Sequence, residues 1–201
     1  MSLSILSDEM QQVEAILFLA RQPLSSRRLA ELAELEDGTQ ARAIVKRLNL
    51  HYDQTGRAFH VKQVAGGFQM RTRPQFADWL RPLEYLPKPT QLSGPALETL
   101  AVVAYRQPII KADIEAIRGV SCGEMLRQLL ERGLVRIAGR SEQLGHPFLY
   151  ATTKLFLTTY GLSRLESLPR ADKLRGVGLP PWTFFDQNST VSGNSSMTED
   201  H

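Results

Sequence analysis

At 201 residues, 42% of them hydrophobic, the chain is long enough for one domain or two small ones with buried cores. Its 24 Lys and Arg residues exceed its 21 Asp and Glu residues by only three, so charge alone neither indicates nor excludes contact with DNA. A single cysteine, Cys122, excludes an internal disulfide and favours a reducing compartment. The N-terminal segment does not resemble a signal peptide, and no apolar run approaches the roughly 18–20 residues of a membrane span, so we expect a cytoplasmic protein.

The first predicted unit begins with three helices. Ser7 is a candidate N-cap for an amphipathic helix that ends before Arg21-Gln22-Pro23, because proline disfavours continuation of a helix. Ser25 caps a short second helix, and a third follows Gly38. Two segments of alternating polarity then surround the turn signal Gly66-Gly67, and they predict a β-hairpin with strands at Phe59 to Val64 and Phe68 to Arg71.

The order of elements repeats along the chain. When Arg21-Gln22-Pro23 is aligned with Arg106-Gln107-Pro108, the offset is 85 (106 − 21) and the apolar positions continue to match. The matched pairs are Leu29 with Ile114, Leu32 with Ile117, Gly38 with Gly123, Ile44 with Leu129 and Val45 with Leu130. The pattern indicates two copies of one supersecondary unit, and coincidence is the alternative.

The second predicted unit has the same plan. A helix begins at Ser93-Gly94-Pro95, a second covers Lys111 to Arg118 and ends at Gly119, and Ser121 opens a third. Strands follow at Leu134 to Ile137 and Phe148 to Ala151, and Thr152 is a candidate cap for a last helix. We therefore predict an α+β, mostly helical fold made of two tandem winged-helix domains with short β-hairpin wings.

The predicted domain boundaries follow from composition. Residues 1–80 form the first winged-helix domain, residues 81–92 a linker stiffened by three prolines, residues 93–170 the second domain, and residues 171–201 a tail that we expect to be disordered. Within the tail, Pro181 to Phe185 is either a docking motif or unremarkable sequence.

The sequence contains no pattern typical of a catalytic, metal-binding or nucleotide-binding site. The four histidines have no Cys or carboxylate neighbours at ligand spacing: His51, His60, His146 and His201. No phosphate-binding loop is present, and neither Ser121 nor Cys122 has a recognisable partner base. We predict no catalysis, no metal and no cofactor.

DNA binding is the alternative function. The third predicted helix exposes Arg42, Lys46 and Arg47, which a winged-helix transcription regulator would place in a groove of DNA. Such charges are also typical of an ordinary solvent-facing helix. The equivalent helix of the second unit has mixed charges that do not favour phosphate: Glu124, Arg127, Gln128 and Glu131.

Several phrases in the chain are similar to one family. They are LETLAVVAYRQP at Leu97 to Pro108, IEAIRGV at Ile114 to Val120, LLERGLV at Leu129 to Val135, GHPFLYATT at Gly145 to Thr153, and FLTTYGL at Phe156 to Leu162. Together they resemble the segregation and condensation protein B (ScpB) family, and the resemblance covers roughly residues 8 to 170. His146 stands where the family usually has arginine, and Lys154 where an acidic residue is more usual, which puts any contact made by that arginine in doubt.

The resemblance implies a function through partners. It implies a homodimer joined mainly through the first domains, which binds the kleisin ScpA and so belongs to the SMC condensin-like complex of chromosome condensation and segregation before cell division. The family is not catalytic, the ATPase is the SMC partner, and contact with chromosomal DNA in the nucleoid would be indirect. No membrane or small-molecule partner is expected.

Three residues of the similar region are candidates for kleisin binding. Tyr105, Arg118 and Tyr150 combine a large contact area with polar groups, and we expect them to be exposed. The alternative is that the motif serves the fold, with Tyr105, Gln107 and Pro108 forming a corner between helices and Gly119 permitting a close turn.

Overall fold

The computed structural model describes residues 6–83 and 92–169. The first half begins with three helices, followed by an antiparallel pair of strands and two short helical turns. These elements are α1 (Asp8–Leu19), α2 (Ser26–Leu32), α3 (Gly38–Gln54), β1 (Phe59–Val64), β2 (Gly67–Thr72), a 3-10 helix (Pro74–Phe76) and α4 (Ala77–Leu80).

The second half repeats three helices and a hairpin, and adds one short strand and a final helix. Its elements are α5 (Gly94–Arg106), β3 (Ile109–Ile110), α6 (Lys111–Arg118), α7 (Gly123–Glu131), β4 (Val135–Arg140), β5 (Phe148–Thr152), α8 (Lys154–Thr159) and a 3-10 helix (Leu165–Ser167). The predicted fold class, α+β and mostly helical, is confirmed. The domain boundaries stay a prediction; most of the linker, the tail and the segment Pro181 to Phe185 lie outside the described residues.

The offset of 85 residues recurs in the three-dimensional structure. Helices α2 and α6 begin at Ser26 and Lys111, and α3 and α7 begin at Gly38 and Gly123. Both members of two matched pairs are buried, Leu29 with Ile114 and Ile44 with Leu129, whereas Leu32 and Ile117 are both exposed. Equivalent positions therefore occupy equivalent environments in the two halves.

Local polar groups begin several helices as predicted. The Ser25 hydroxyl accepts a hydrogen bond from the Arg28 amide, and the Ser93 hydroxyl accepts one from Ala96 at the start of α5. The start of α3 at Gly38 is also confirmed. Its cap is Asp37, whose carboxylate accepts the amides of Thr39 and Gln40. The amide of Gln40 contributes most to lowering the pKa of Asp37.

Two predicted caps are wrong, and a third lacks its side-chain bond. Ser7 occupies the N-cap position of α1 as predicted, but its hydroxyl accepts no helical amide. The hydroxyl of Ser121 donates to Glu115, whose carboxylate also accepts the Cys122 amide, so a side chain from α6 supports the start of α7. Helix α8 is capped by Thr153 rather than Thr152, because the amide of Thr152 donates to Gln107 Oε1 (2.7 Å).

Each half forms its own small sheet on its helices. Strands β1 and β2 pair antiparallel from Phe59 opposite Thr72 to Val64 opposite Gly67, so the predicted hairpin is confirmed. In the second half the strand order is β3–β5–β4, with an irregularity in β4 between Ile137 and Gly139. The largest fully buried side chains of the first half come from its three helices and the first strand: Val13, Leu17, Leu29, Ile44, Leu48, Tyr52 and Val64.

Candidate interaction surfaces

A cleft of about 690 Å³ lies between α1 and the β1–β2 hairpin. Helix α1 turns Val13 and Leu17 into the core, which leaves the residues of its neighbouring face to line the cleft. Beside the cleft, Phe18 is 75% exposed and Leu19 is 77% exposed. The lining residues are Gln11, Glu14, Ala15, Phe18, Phe59, Met70, Arg71 and Thr72. An open apolar cleft beside two protruding apolar side chains is typical of a protein-binding surface.

The two charged residues of this cleft are already hydrogen-bonded. Glu14 accepts a hydrogen bond from the hydroxyl of buried Tyr52 (2.9 Å). Burial, together with Glu14, raises the pKa of Tyr52 above its usual range, so the phenol stays protonated as the donor. Burial lowers the pKa of Arg71, whose guanidinium donates to Gln69 Oε1. Both charged side chains of the lining thus have hydrogen-bond partners within the protein.

The three predicted kleisin-binding residues have different environments. Tyr105 is exposed near the end of α5, and Tyr150 is half-buried in β5, opposite Ile137 on one side and Ile109 on the other. The side chain of Arg118 is only 6% exposed, so the prediction that it is exposed is wrong. Of the three residues, Tyr105 and Tyr150 are thus accessible to a partner.

Arg118 is held inside the second half by the preceding helix. Its Nη2 donates to Glu98 Oε2 of α5 (3.1 Å), while Nε and Nη1 are buried without a hydrogen-bond partner. Arg118 is the last residue of α6, and no local pattern predicts that its side chain is covered. Gly119, directly after Arg118, has a φ of +72° and ends α6 in the close turn that the sequence predicted.

One face of the β4–β5 hairpin carries exposed apolar side chains. Ile137 lies opposite Tyr150, and Arg140 lies opposite Phe148 with its guanidinium carbon 4.3 Å from the ring centroid. Ile137 and Phe148 are exposed, and Leu144 in the connecting loop is fully exposed. Sequence reasoning placed these residues on the wing but did not select them as site residues. No local pattern singles them out, because Phe148 is followed in β5 by the equally apolar Leu149.

One of the three basic residues of the DNA-binding alternative is hydrogen-bonded within the first half. Arg42 donates to the hydroxyls of Ser26 and Thr39, each at 3.0 Å, whereas Lys46 and Arg47 are exposed on α3. The mixed charges predicted for α7 form ion pairs, since Arg127 bonds to both Glu124 and Glu131 and leaves the three residues with a net negative charge.

Other kinds of site find little support in the described residues. Within residues 6–83 and 92–169, no group of three or more His, Cys, Asp or Glu side chains is placed to hold a metal ion. Cys122 is buried as expected, and burial raises the pKa of its thiol. None of the helices in this same part of the chain has the length and hydropathy of a membrane span.

Comparison with known proteins gives a consistent set of relatives. The family model described as segregation and condensation complex subunit ScpB matches residues 11–171. A protein named segregation and condensation protein B from Syntrophotalea carbinolica is 43% identical over 190 residues, which are 93% of this chain and 94% of that protein. A protein of the same name from Symbiobacterium thermophilum is 43% identical over 157 residues, covering 78% of this chain and 71% of the relative. The crystal structure of ScpB from Mycobacterium tuberculosis is 32% identical and covers 77% of this chain and 96% of that one, with a TM-score of 0.36.

Proposed function

Because the chain belongs to the segregation and condensation protein B family, we propose that it is a non-catalytic subunit of an SMC–ScpA–ScpB complex and binds the kleisin ScpA as a homodimer. The resemblance inferred from the sequence is confirmed by the family match, and membership assigns the chain to chromosome condensation and segregation. The match over residues 11–171 is the observation that carries the proposal. Its proposed place of action is the cytoplasm, on the nucleoid.

The α1 cleft is the proposed dimer surface. In a two-fold symmetric dimer one patch faces its own copy, so a protruding residue must find a recess on the same patch. Phe18 and the cleft that it borders meet this requirement, because Phe18 of each copy can insert between α1 and β2 of the other. Burying two phenylalanines and the neighbouring Leu19 would remove apolar surface that is costly to leave in water.

Replacement of one residue tests this surface. Phe18→Asp puts a carboxylate into the proposed interface, and we expect the variant to be a monomer by size exclusion with light scattering. Leu50→Asp is the matched control, since Leu50 is also an exposed apolar residue on a helix but lies on α3. A Phe18→Asp variant that remains dimeric would show that the copies meet elsewhere.

The exposed face of the β4–β5 hairpin is the proposed kleisin surface. Tyr150, Phe148 and Ile137 offer an apolar patch flanked by Arg140, the composition that is enriched at the centres of protein interfaces. Tyr105 remains a second candidate contact. Arg118 would act through its bond to Glu98 by fixing α5 against α6, because its own side chain is covered.

Pull-down with the host's ScpA tests this second surface. We expect Phe148→Ala and Tyr150→Ala to weaken ScpA binding at least tenfold, the effect of about 1.4 kcal/mol, with unchanged melting temperature and dimer mass. Ile117→Ala is the control, as Ile117 is an exposed apolar residue of the same half outside the hairpin. Equal ScpA binding by all three variants would remove the hairpin from the proposal.

Co-expression tests the function as a whole. The chain is expressed with the host's kleisin and SMC proteins, and the mass of the purified assembly is measured by size exclusion with light scattering. The proposal expects one assembly that contains two copies of this chain. Elution of the chain apart from both partners would count against it, and would favour the alternative of an independent winged-helix regulator.

A further inference from the structure

The turn of the β1–β2 hairpin contacts the chain that follows α8. The Ala65 amide donates to Leu162 O (2.8 Å), and the Gly66 amide donates to Ser163 O (2.9 Å). Two successive amides of the first half thus pair with two successive carbonyls at the end of the second half. The contact joins the segments that the sequence assigns to different domains.

The backbone of the hairpin explains why these amides are available. The strand pairing ends at Val64 opposite Gly67, so Ala65 and Gly66 form a two-residue loop. Both have positive φ, +50° and +75°, the conformation of a type I′ turn, whose two central amides take no part in the strand ladder. Ala65 is buried, and a buried amide needs a hydrogen-bond partner. The segment after α8 supplies the acceptors that the hairpin itself lacks.

Arg71 adds a side-chain contact to the same junction. Its Nη2 donates to Thr158 O in the last turn of α8 (3.0 Å), a carbonyl that also accepts the Gly161 amide (3.3 Å). Gln69 Oε1 accepts from Nε and Nη2 and so fixes the direction of the guanidinium. Gly161, with a φ of +64°, turns the chain beside it, and a Cβ there would lie 3.5 Å from Nη1 of Arg71.

We propose that this junction is a latch: the hairpin turn and Arg71 hold the second half in one orientation on the first half. The inference rests on the proposed tandem-domain organisation and deepens the proposed function. Because linked domains move relative to each other unless their interface restrains them, the default without the latch is a range of orientations. With it, the α1 cleft and the β4–β5 hairpin stand at a fixed separation, which favours a partner that contacts both. Arg71 lines that cleft as well, so latch and dimer surface share a residue.

Distances between spin labels in the two halves test the latch. Labels are attached at Gln54→Cys on α3 and Gln143→Cys in the loop between β4 and β5, both exposed positions, with the buried Cys122 replaced by alanine. Labelled chain is mixed with an excess of unlabelled chain, so that distances within one chain dominate even in a dimer. We expect one narrow distance distribution for the parent protein.

Variants on both sides of the junction decide the outcome. Arg71→Ala removes the side-chain donor, and Gly161→Val places a β-branched residue at a φ of +64°, which strains the turn before Leu162 and Ser163; both should at least double the width of the distribution. Arg57→Ala is the control, an exposed arginine of the first half outside the junction. The latch would be overturned if both variants kept a narrow distance distribution. It would also be overturned if the distribution of the parent protein were as broad as that of the variants. If circular dichroism shows that Arg71→Ala does not fold, the distance distribution of Gly161→Val tests the latch by itself. Pull-down with ScpA measures the proposed function separately.

Discussion

Asn49 belongs by sequence to the exposed polar side of α3, next to the residues of the DNA-binding alternative, yet its amide serves the fold. Its Nδ2 donates to Val61 O, and its Oδ1 accepts the Val61 amide, both at 2.8 Å. Val61 is buried in β1, and among the described residues β1 pairs with β2 alone. Asn49 therefore replaces a missing strand partner and ties α3 to the hairpin.

Loss of the Asn49 amide should destabilise the first half. Asn49→Ala leaves a backbone donor and a backbone acceptor of Val61 without partners, and we expect a loss of about 1–3 kcal/mol in the free energy of unfolding. Urea denaturation followed by circular dichroism measures it. Lys46→Ala, one turn earlier on the exposed face, should change stability by less than about 0.5 kcal/mol. Equal effects of the two substitutions would refute this role.

His60 should make stability depend on pH. Burial contributes most to lowering the pKa of His60, and the positive charges of Arg73 and Lys62 lower it further, while the charge of Asp53 acts in the opposite direction. The Nδ1 atom of His60 is buried without a hydrogen-bond partner. The folded state therefore favours the neutral ring. The unfolded chain protonates first, near its ordinary pKa of about 6.5, so stability is full above that pH and falls as the pH drops below it.

Urea midpoints measured from pH 8 to pH 5 test this dependence. We expect the parent protein to lose stability below about pH 6.5, and His60→Gln to lose less over the same range. His146→Gln, at an exposed histidine in the loop of the second half, serves as the control and should follow the parent. A His60→Gln curve parallel to the parent's would place the titration elsewhere.

At the scale of the element, the repeat provides a matched pair of glycines. Gly38 and Gly123 both start the third helix of their halves and both approach the first residue of the second helix. A Cβ at Gly38 would lie 2.9 Å from Ser26 Oγ and 3.3 Å from backbone atoms of Ser26 and Arg27. At Gly123 it would meet only the flexible end of Lys111, at 3.3 Å. The two equivalent glycines thus differ in their neighbours: rigid backbone lies close to Gly38, and a flexible side chain lies close to Gly123.

Alanine at each glycine should expose that difference. Gly38→Ala must push backbone apart, and we expect a loss of about 1–3 kcal/mol, as for overpacked sites. Gly123→Ala should be neutral or slightly stabilising, because Lys111 can move and alanine restricts the unfolded chain. Thermal unfolding of the two variants measures both effects. A Gly123→Ala variant as unstable as Gly38→Ala would contradict the comparison.

The sequence predicts those elements whose signals are local. Apolar spacing, proline and glycine positions and the Gly66-Gly67 turn place the six main helices and both hairpins within a few residues. Helix α4 is missed because its residues are exposed or half-buried and show no apolar face. The cap of α8 is misplaced by one residue because Gln107, far away in sequence, engages Thr152. Local patterns carry no information about such distant partners.

The candidate site was harder to predict for the same reason. Exposure of a helical or strand residue depends on the elements that pack around it: the side chain of Arg118 is covered, while that of its partner Glu98 on α5 is exposed. Ile137 and Phe148 are apolar strand residues like the buried Val135 and Ala151 of the same strands, and no local pattern marks them as exposed. The family resemblance supplied the function without identifying the surface.

For the whole molecule, the balance of charge limits what the chain does alone. Residues 1–90 carry 12 basic and 10 acidic side chains. Several arginines are bound to acidic groups of the same half: Arg27 and Arg28 to Glu31, and Arg73 to Asp53. Each such pair weakens the attraction of that arginine for DNA phosphates. Lys46 and Arg47, exposed on α3, stay the basic contacts of the DNA-binding alternative.

DNA binding by the isolated chain should accordingly be weak and barely dependent on sequence. With two phosphate contacts, the logarithm of the binding constant should fall by only about 1.8 per tenfold rise in salt, and the double variant Lys46→Ala, Arg47→Ala should abolish that dependence. Fluorescence anisotropy with duplexes of different sequence measures it, and the assembled complex with ScpA and SMC should bind with a steeper salt slope. Tight, sequence-selective binding by the chain alone would instead support a transcription regulator, because a subunit that reaches chromosomes through its partners needs no DNA affinity of its own.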